Sequence, residues 1–190
     1  MTLALAENPV LDDLGTYVRD GDLVTLHYER RYPRPIETVW AALTTPERLA
    51  DWIGASVVEP RVGGTFNVFA DRDEDGQTRG KVITWQPPKL LEFTWHFGDT
   101  ATSKVRCELK ADGPGTTRLI FTHSGIQYPW AGLVLPGWHA CFERLAALMA
   151  SGKPVPASTE RWSALQAIYL DHYKLEGVMT ERTQTCGPKS

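Results

Sequence analysis

From Leu91 to Phe97 every second residue is apolar, with Leu91, Phe93, Trp95 and Phe97 alternating against Glu92, Thr94 and His96. The next segment repeats the pattern, with Val105, Cys107 and Leu109 set against Lys104, Arg106, Glu108 and Lys110. Successive side chains of a strand point to opposite faces, so both segments are strands with one wet face and one dry face. A sheet of this kind must be covered on its dry side. The cover is predicted after Pro136-Gly137, where Trp138, Cys141, Phe142, Leu145, Leu148 and Met149 recur at helical spacing and Gly152 with Pro154 marks the end.

The rest of the chain fits around that pair of layers. Thr16-Tyr17-Val18 and the run from Leu23 to Tyr28 flank Asp20-Gly21, a pairing that predicts a hairpin with a type I′ turn. Ile36, Val39, Trp40 and Leu43 share one helical face, and Thr45-Pro46-Glu47 starts a second short helix whose apolar side is Leu49, Trp52 and Ile53. About five strands are predicted between Gly63 and Ser124, at 65–70, 80–85, 90–97, 104–110 and 116–124. A last helix begins at Ser158 or Thr159 and carries Trp162, Leu165, Tyr169 and Tyr173 on one side. The predicted class is α+β: a curved antiparallel sheet wrapped around a long C-terminal helix, with two short helices after the first strands. Residues 14–176 are expected to form one domain, 1–13 a flexible lead-in and 177–190 a tail.

Charge and cysteine content narrow the function. Twenty basic and 23 acidic residues are interspersed, for a net charge of −3, so no basic face is set up for nucleic acid. No stretch reaches the roughly 18 apolar residues of a membrane span, and the opening MTLALAENPV lacks the basic start of a secretory signal. Cys107, Cys141 and Cys186 are odd in number and lack metal-ligand spacing, which suits a reducing cytoplasm.

The string from Pro35 to Trp52, PIETVWAALTTPERLADW, resembles the VWxALTxPExLxxW signature of the START-like (SRPBCC) superfamily. Within that superfamily it is most similar to homologues of the heat-shock-protein-90 ATPase activator. Gly63-Gly64-Thr65-Phe66, Pro87-Pro88-Lys89-Leu90-Leu91, Phe93-Thr94-Trp95, Thr122-His123-Ser124 and Gly137-Trp138 follow in the family's order. The resemblance implies a helix-grip fold with a deep apolar cavity. It names no ligand, because the shared positions are turn glycines, caps and core aromatics.

Three functions compete. The first is binding of a small aromatic or lipid-like ligand by an inner lining of Phe66, Phe93, Trp95, Val105, Cys107, Phe121, His123, Trp138, Cys141, Phe142 and Leu145. The second, suggested by the family, is a co-chaperone-like domain that binds a chaperone. The third is a cyclase or dehydratase, as in other START-like branches, with His123 as its acid/base group. His123 shares a strand face with Leu119 and Phe121, so it is either a hydrogen-bonded wall residue or a polar anchor. His96 and His139 are expected to face water, and Trp95 and Trp138 to meet between sheet and helix. Asp71, Asp73, Asp75 and Gly76 begin like a calcium loop, but Val82 stands where its last ligand belongs, so a solvated turn is expected. No metal or cofactor is expected, and a homodimer is left open.

Overall fold

The computed structural model describes residues 13–73, 76–98 and 100–180. Most of the predicted lead-in and the end of the tail, Cys186 and Asp75 lie outside the described residues. The strands are β1 (Thr16–Asp20), β2 (Leu23–Tyr32), β3 (Ser56–Val58), β4 (Phe66–Val68), β5 (Thr78–Arg79), β6 (Val82–Gln86), β7 (Leu90–Phe97), β8 (Ser103–Ala111) and β9 (Thr117–Gln127). The helices are α1 (Ile36–Thr44), α2 (Pro46–Ala50), α3 (Ala131–Ser151) and α4 (Thr159–Tyr173), with a 3₁₀ turn at Tyr128–Trp130 before α3. Among the described residues the strands form one sheet in the order β1-β2-β9-β8-β7-β5-β4-β3, with β6 also on β7. The pairings are antiparallel, and α3 lies against the concave face, giving an α+β fold with a curved sheet gripping a long helix.

The alternation sets the inner rows directly. Leu91, Cys107, Phe121 and Tyr28 stand side by side across four strands, and Phe93, Val105, His123 and Leu26 form the next row. Along β9 the ladder to β2 slips between Leu26↔His123 and Val24↔Ile126, so β9 carries one extra residue beside Gly125, whose φ is 78°. A bulge bends its strand at that point.

Several local features depart from the sequence reading. The β1–β2 turn is Gly21-Asp22, with positive φ at Gly21 alone, so it is not type I′. β2 runs on to Tyr32, β3 and β5 are short additions, and β4 keeps only three residues because Phe69 turns left-handed at φ 58°. His96 is half-buried rather than exposed.

The long helix begins at Ala131, five residues before Pro136, and not after Pro136-Gly137. A proline inside a helix frees the carbonyl four residues back. That carbonyl, on buried Gly132, accepts instead from Nε2 of Gln166 at 2.7 Å, and Gln166 belongs to α4. The proline is tolerated because a residue 34 positions away caps the gap.

The same helix pair buries His139, which is 2 % exposed. The expectation that it faces water fails because α4 covers that side of α3. Its Nδ1 lies 3.0 Å from the Tyr169 hydroxyl, which accepts from the Gly15 amide at 2.7 Å, and the Tyr173 hydroxyl donates to the Gly15 carbonyl at 2.9 Å. Gly15 leaves no room for a side chain, since a Cβ would sit 2.1 Å from the Tyr28 ring. Arg161 of α4 donates to Glu143 of α3 through both Nε and Nη2, one to each carboxylate oxygen.

Two measurements check this joint. Gln166→Leu leaves the Gly132 carbonyl buried without a donor and should cost about 1–3 kcal/mol in urea unfolding, but distinctly less in a Pro136→Ala background that restores the helical N–H. Burial pushes the Glu143 carboxyl up, but hydrogen bonds from Arg161 and His139 outweigh it and bring the pKa down from 4.5 to about 2. The stabilisation is therefore present above about pH 4.5 and lost as pH falls through about 2. The melting-temperature gap between the native chain and Glu143→Gln should close over that window.

Candidate functional site

Beyond the second inner row comes a third, in which Trp95 of β7 stands opposite Ser103 of β8. There β9 is bent by its bulge, and α3 approaches the sheet with Trp138. Between them lies a pocket of about 370 Å³. Trp95, Phe97, Ile126, Trp130, Val134, Trp138 and Trp162 supply most of its walls, with Phe69 and Arg72 at the end of β4 along one edge. Trp95 and Trp138 meet there with ring centroids 5.2 Å apart.

The polar part of the pocket is a chain of hydrogen bonds. An indole nitrogen can only donate, so Trp138 Nε1–H donates to His123 Nδ1 at 3.0 Å. With Nδ1 accepting, a neutral imidazole carries its proton on Nε2, and this donates to Ser103 Oγ at 2.8 Å. Ser103 in turn donates to the Trp95 carbonyl at 3.1 Å. Burial lowers the His123 pKa from 6.5 to about 3, so the ring is neutral at physiological pH.

This arrangement decides against a Ser-His nucleophile. A general base must accept the serine proton on a free nitrogen lone pair, and Nε2 has none. Burial also pushes the Cys107 thiol up to about 12 and the Cys141 thiol up to about 11, leaving both neutral and poorly nucleophilic.

Of the residues proposed from sequence, Trp95, His123, Trp138 and Cys141 line this pocket. Phe66, Phe93, Val105, Cys107, Phe121 and Phe142 do not; they surround a separate void of about 20 Å³, too small for an organic ligand. Their rings fill the space instead. Phe66 stacks on Phe93 at 3.9 Å, and Phe121 lies 4.4 Å from Trp138 and 5.0 Å from Phe142. Leu145 lines neither and is fully buried in the core.

Sequence reasoning missed Ser103, Phe97, Trp130, Val134, Phe69 and Arg72. Phe97 continues the alternation, and counting register from Val105↔Phe93 would have placed Ser103 opposite Trp95. Nothing in the pattern marks Phe69 and Arg72, which sit in an irregular segment.

Fold and pocket together define a START-like (SRPBCC) helix-grip domain. The structure is similar to a conserved protein of unknown function, EF2215, from Enterococcus faecalis, with TM-score 0.70 and 20 % identity over 85 % of this chain and 92 % of that one. It is also similar to CalU16 from Micromonospora echinospora, with TM-score 0.64 and 22 % identity over 83 % and 92 %. A third, BPP1335 from Bordetella parapertussis, has TM-score 0.62 and 25 % identity over 86 % and 92 %. No curated protein matches significantly. The family described as Activator of Hsp90 ATPase homolog 1-like protein matches residues 33–150, more than half of the sequence, and the chain belongs to that family.

Ser103→Ala tests the hydrogen-bond chain. It strands the Nε2 proton of a residue that is 1 % exposed and should cost about 1–3 kcal/mol in denaturant unfolding. A fluorophosphonate should leave Ser103 of the native chain unlabelled.

Proposed function

We propose that this protein binds a small, largely apolar ligand in the pocket between Trp95, Trp138 and Trp130, without catalysing a reaction on it. One observation carries the reading: a pocket of about 370 Å³, walled mostly by aromatic and aliphatic side chains, in which the Trp138–His123–Ser103 cluster is already satisfied within the protein. A cluster so occupied presents a dry, fixed surface. Binding then comes from removing apolar surface from water at about 25 cal/mol per Å², or about 5 kcal/mol for an arene burying about 200 Å², less the cost of association.

The catalytic alternative needs an acid/base group aimed at the ligand. His123 has both ring nitrogens engaged and resists protonation, so it supports an anchoring and shaping role over proton transfer. The free thiols of Cys107 and Cys141 fit a reducing compartment such as the cytoplasm. Among the described residues no helix is long and apolar enough to cross a membrane.

A thermal-shift series with neutral arenes and fatty alcohols tests the proposal. A ligand at a hundredfold excess over its dissociation constant should add about 2.7 kcal/mol of stability. Val134→Arg, which puts a charge on the helix wall of the pocket, should abolish the shift while the variant still melts cooperatively. If no compound class moves the transition, the protein does not use this pocket for apolar ligands.

A further inference from the structure

The edge of the pocket differs in charge from the protein as a whole. Among the described residues, Arg72 is the one side chain lining the pocket that carries a full charge at neutral pH. A second hollow of about 480 Å³ continues past Phe69 and Arg72 along α3, sharing Ile53, Gly137, Cys141 and Trp162 with the first. Its charged lining among the described residues is Arg72, Arg144, Arg161 and Glu143, and Glu143 is paired with Arg161. Three guanidinium groups against one carboxylate form a cationic rim on a chain whose net charge is −3.

Among the described residues, no carboxylate occupies the Arg72 guanidinium. Arg144 is spent on the carbonyls of Val155 and Asp51, and Arg161 on Glu143. The Arg72 guanidinium has no ion pair among the described residues and lies over the Phe69 ring, 4.1 Å from its centroid. Neighbouring Asp71 and Asp73 are exposed and do not line the pocket. Stacking on a ring leaves the N–H fork open in the plane for a planar anion.

The backbone holds this pair in place at a cost. Phe69 adopts φ 58°, a left-handed conformation that bulky residues avoid. Its ring rests where only glycine fits, since a Cβ on Gly54 would lie 2.7 Å from Phe69 Cδ1. The strained turn presents Phe69 to the pocket and Arg72 to its mouth.

We propose that the ligand is amphipathic, an apolar body bearing one carboxylate-like anionic head, and that Arg72 at the pocket mouth selects the head while the body enters toward Trp95 and Trp138. The inference rests on the apolar-pocket reading and adds the ligand's charge and orientation to it. Arg72 is a specificity determinant on this account, and neutral apolar molecules bind without its help.

Two fluorescent probes with a shared arene separate the parts: anilinonaphthalenesulfonate, which is anionic, and N-phenylnaphthylamine, which is neutral. Both are titrated into the full-length protein, Arg72→Gln and Arg72→Lys, with circular dichroism confirming that each variant is folded. Arg72→Gln should weaken the anionic probe about tenfold and the neutral probe less than about twofold, and Arg72→Lys, which restores the charge without the planar fork, should recover only part of the loss. In the unmodified protein, added salt should weaken the anionic probe alone. Equal effects of Arg72→Gln on both probes, no effect on either, or salt-independent anionic binding would each overturn the head-group inference while leaving the apolar pocket intact. Failure of the neutral probe to bind the unmodified protein overturns the pocket reading itself, and the inference with it.

Discussion

The Trp138 indole donates to Nδ1 of His123 across 3.0 Å, and this bond joins the long helix to the sheet where the two layers diverge. On the inner side of that point, rings pack closely enough that the remaining void is about 20 Å³. On the outer side, the bulge in β9 and the 3₁₀ turn at Tyr128–Trp130 carry the chain away, and a pocket of about 370 Å³ opens. The bond also decides the chemistry. By occupying Nδ1 it puts the proton on Nε2, directs that proton at Ser103, and leaves a neutral ring with no free lone pair for catalysis.

Much of the architecture was legible because period-two and period-3.6 patterns respond to burial, and most of the chain is buried on one side. Leu91, Phe93, Val105, Cys107 and Phe121 all face inward as their alternation predicts. What alternation cannot tell is whether an inward side chain meets a ligand or another side chain. Phe66 and Phe93 are spent on each other, whereas Trp95, one step further along the same strand face, reaches the pocket. The difference comes from how far each row lies from the diverging end of α3, a three-dimensional quantity that neither strand encodes.

The other departures share a cause: partners distant in sequence override local signals. Pro136 reads as a helix start because proline normally is one, yet Gln166 caps the carbonyl it frees. His139 sits off the apolar stripe of α3 and reads as exposed, but α4 supplies Tyr169 to cover and bond it. Phe69 and Arg72 escape notice because a left-handed phenylalanine follows no propensity rule and is recognised only from its backbone and from the space left at Gly54.

The central claim is that His123 is a neutral, doubly bonded wall residue of the pocket and not a proton-transfer group. Long-range proton–nitrogen correlation spectra of histidine-labelled protein test this directly, because the ring nitrogen shifts report protonation and tautomer separately. The account predicts an unprotonated Nδ1, a protonated Nε2, and no titration of this ring until pH approaches about 3. A proton on Nδ1, or titration near the ordinary 6.5, would contradict it and return His123 to the list of candidate acid/base groups.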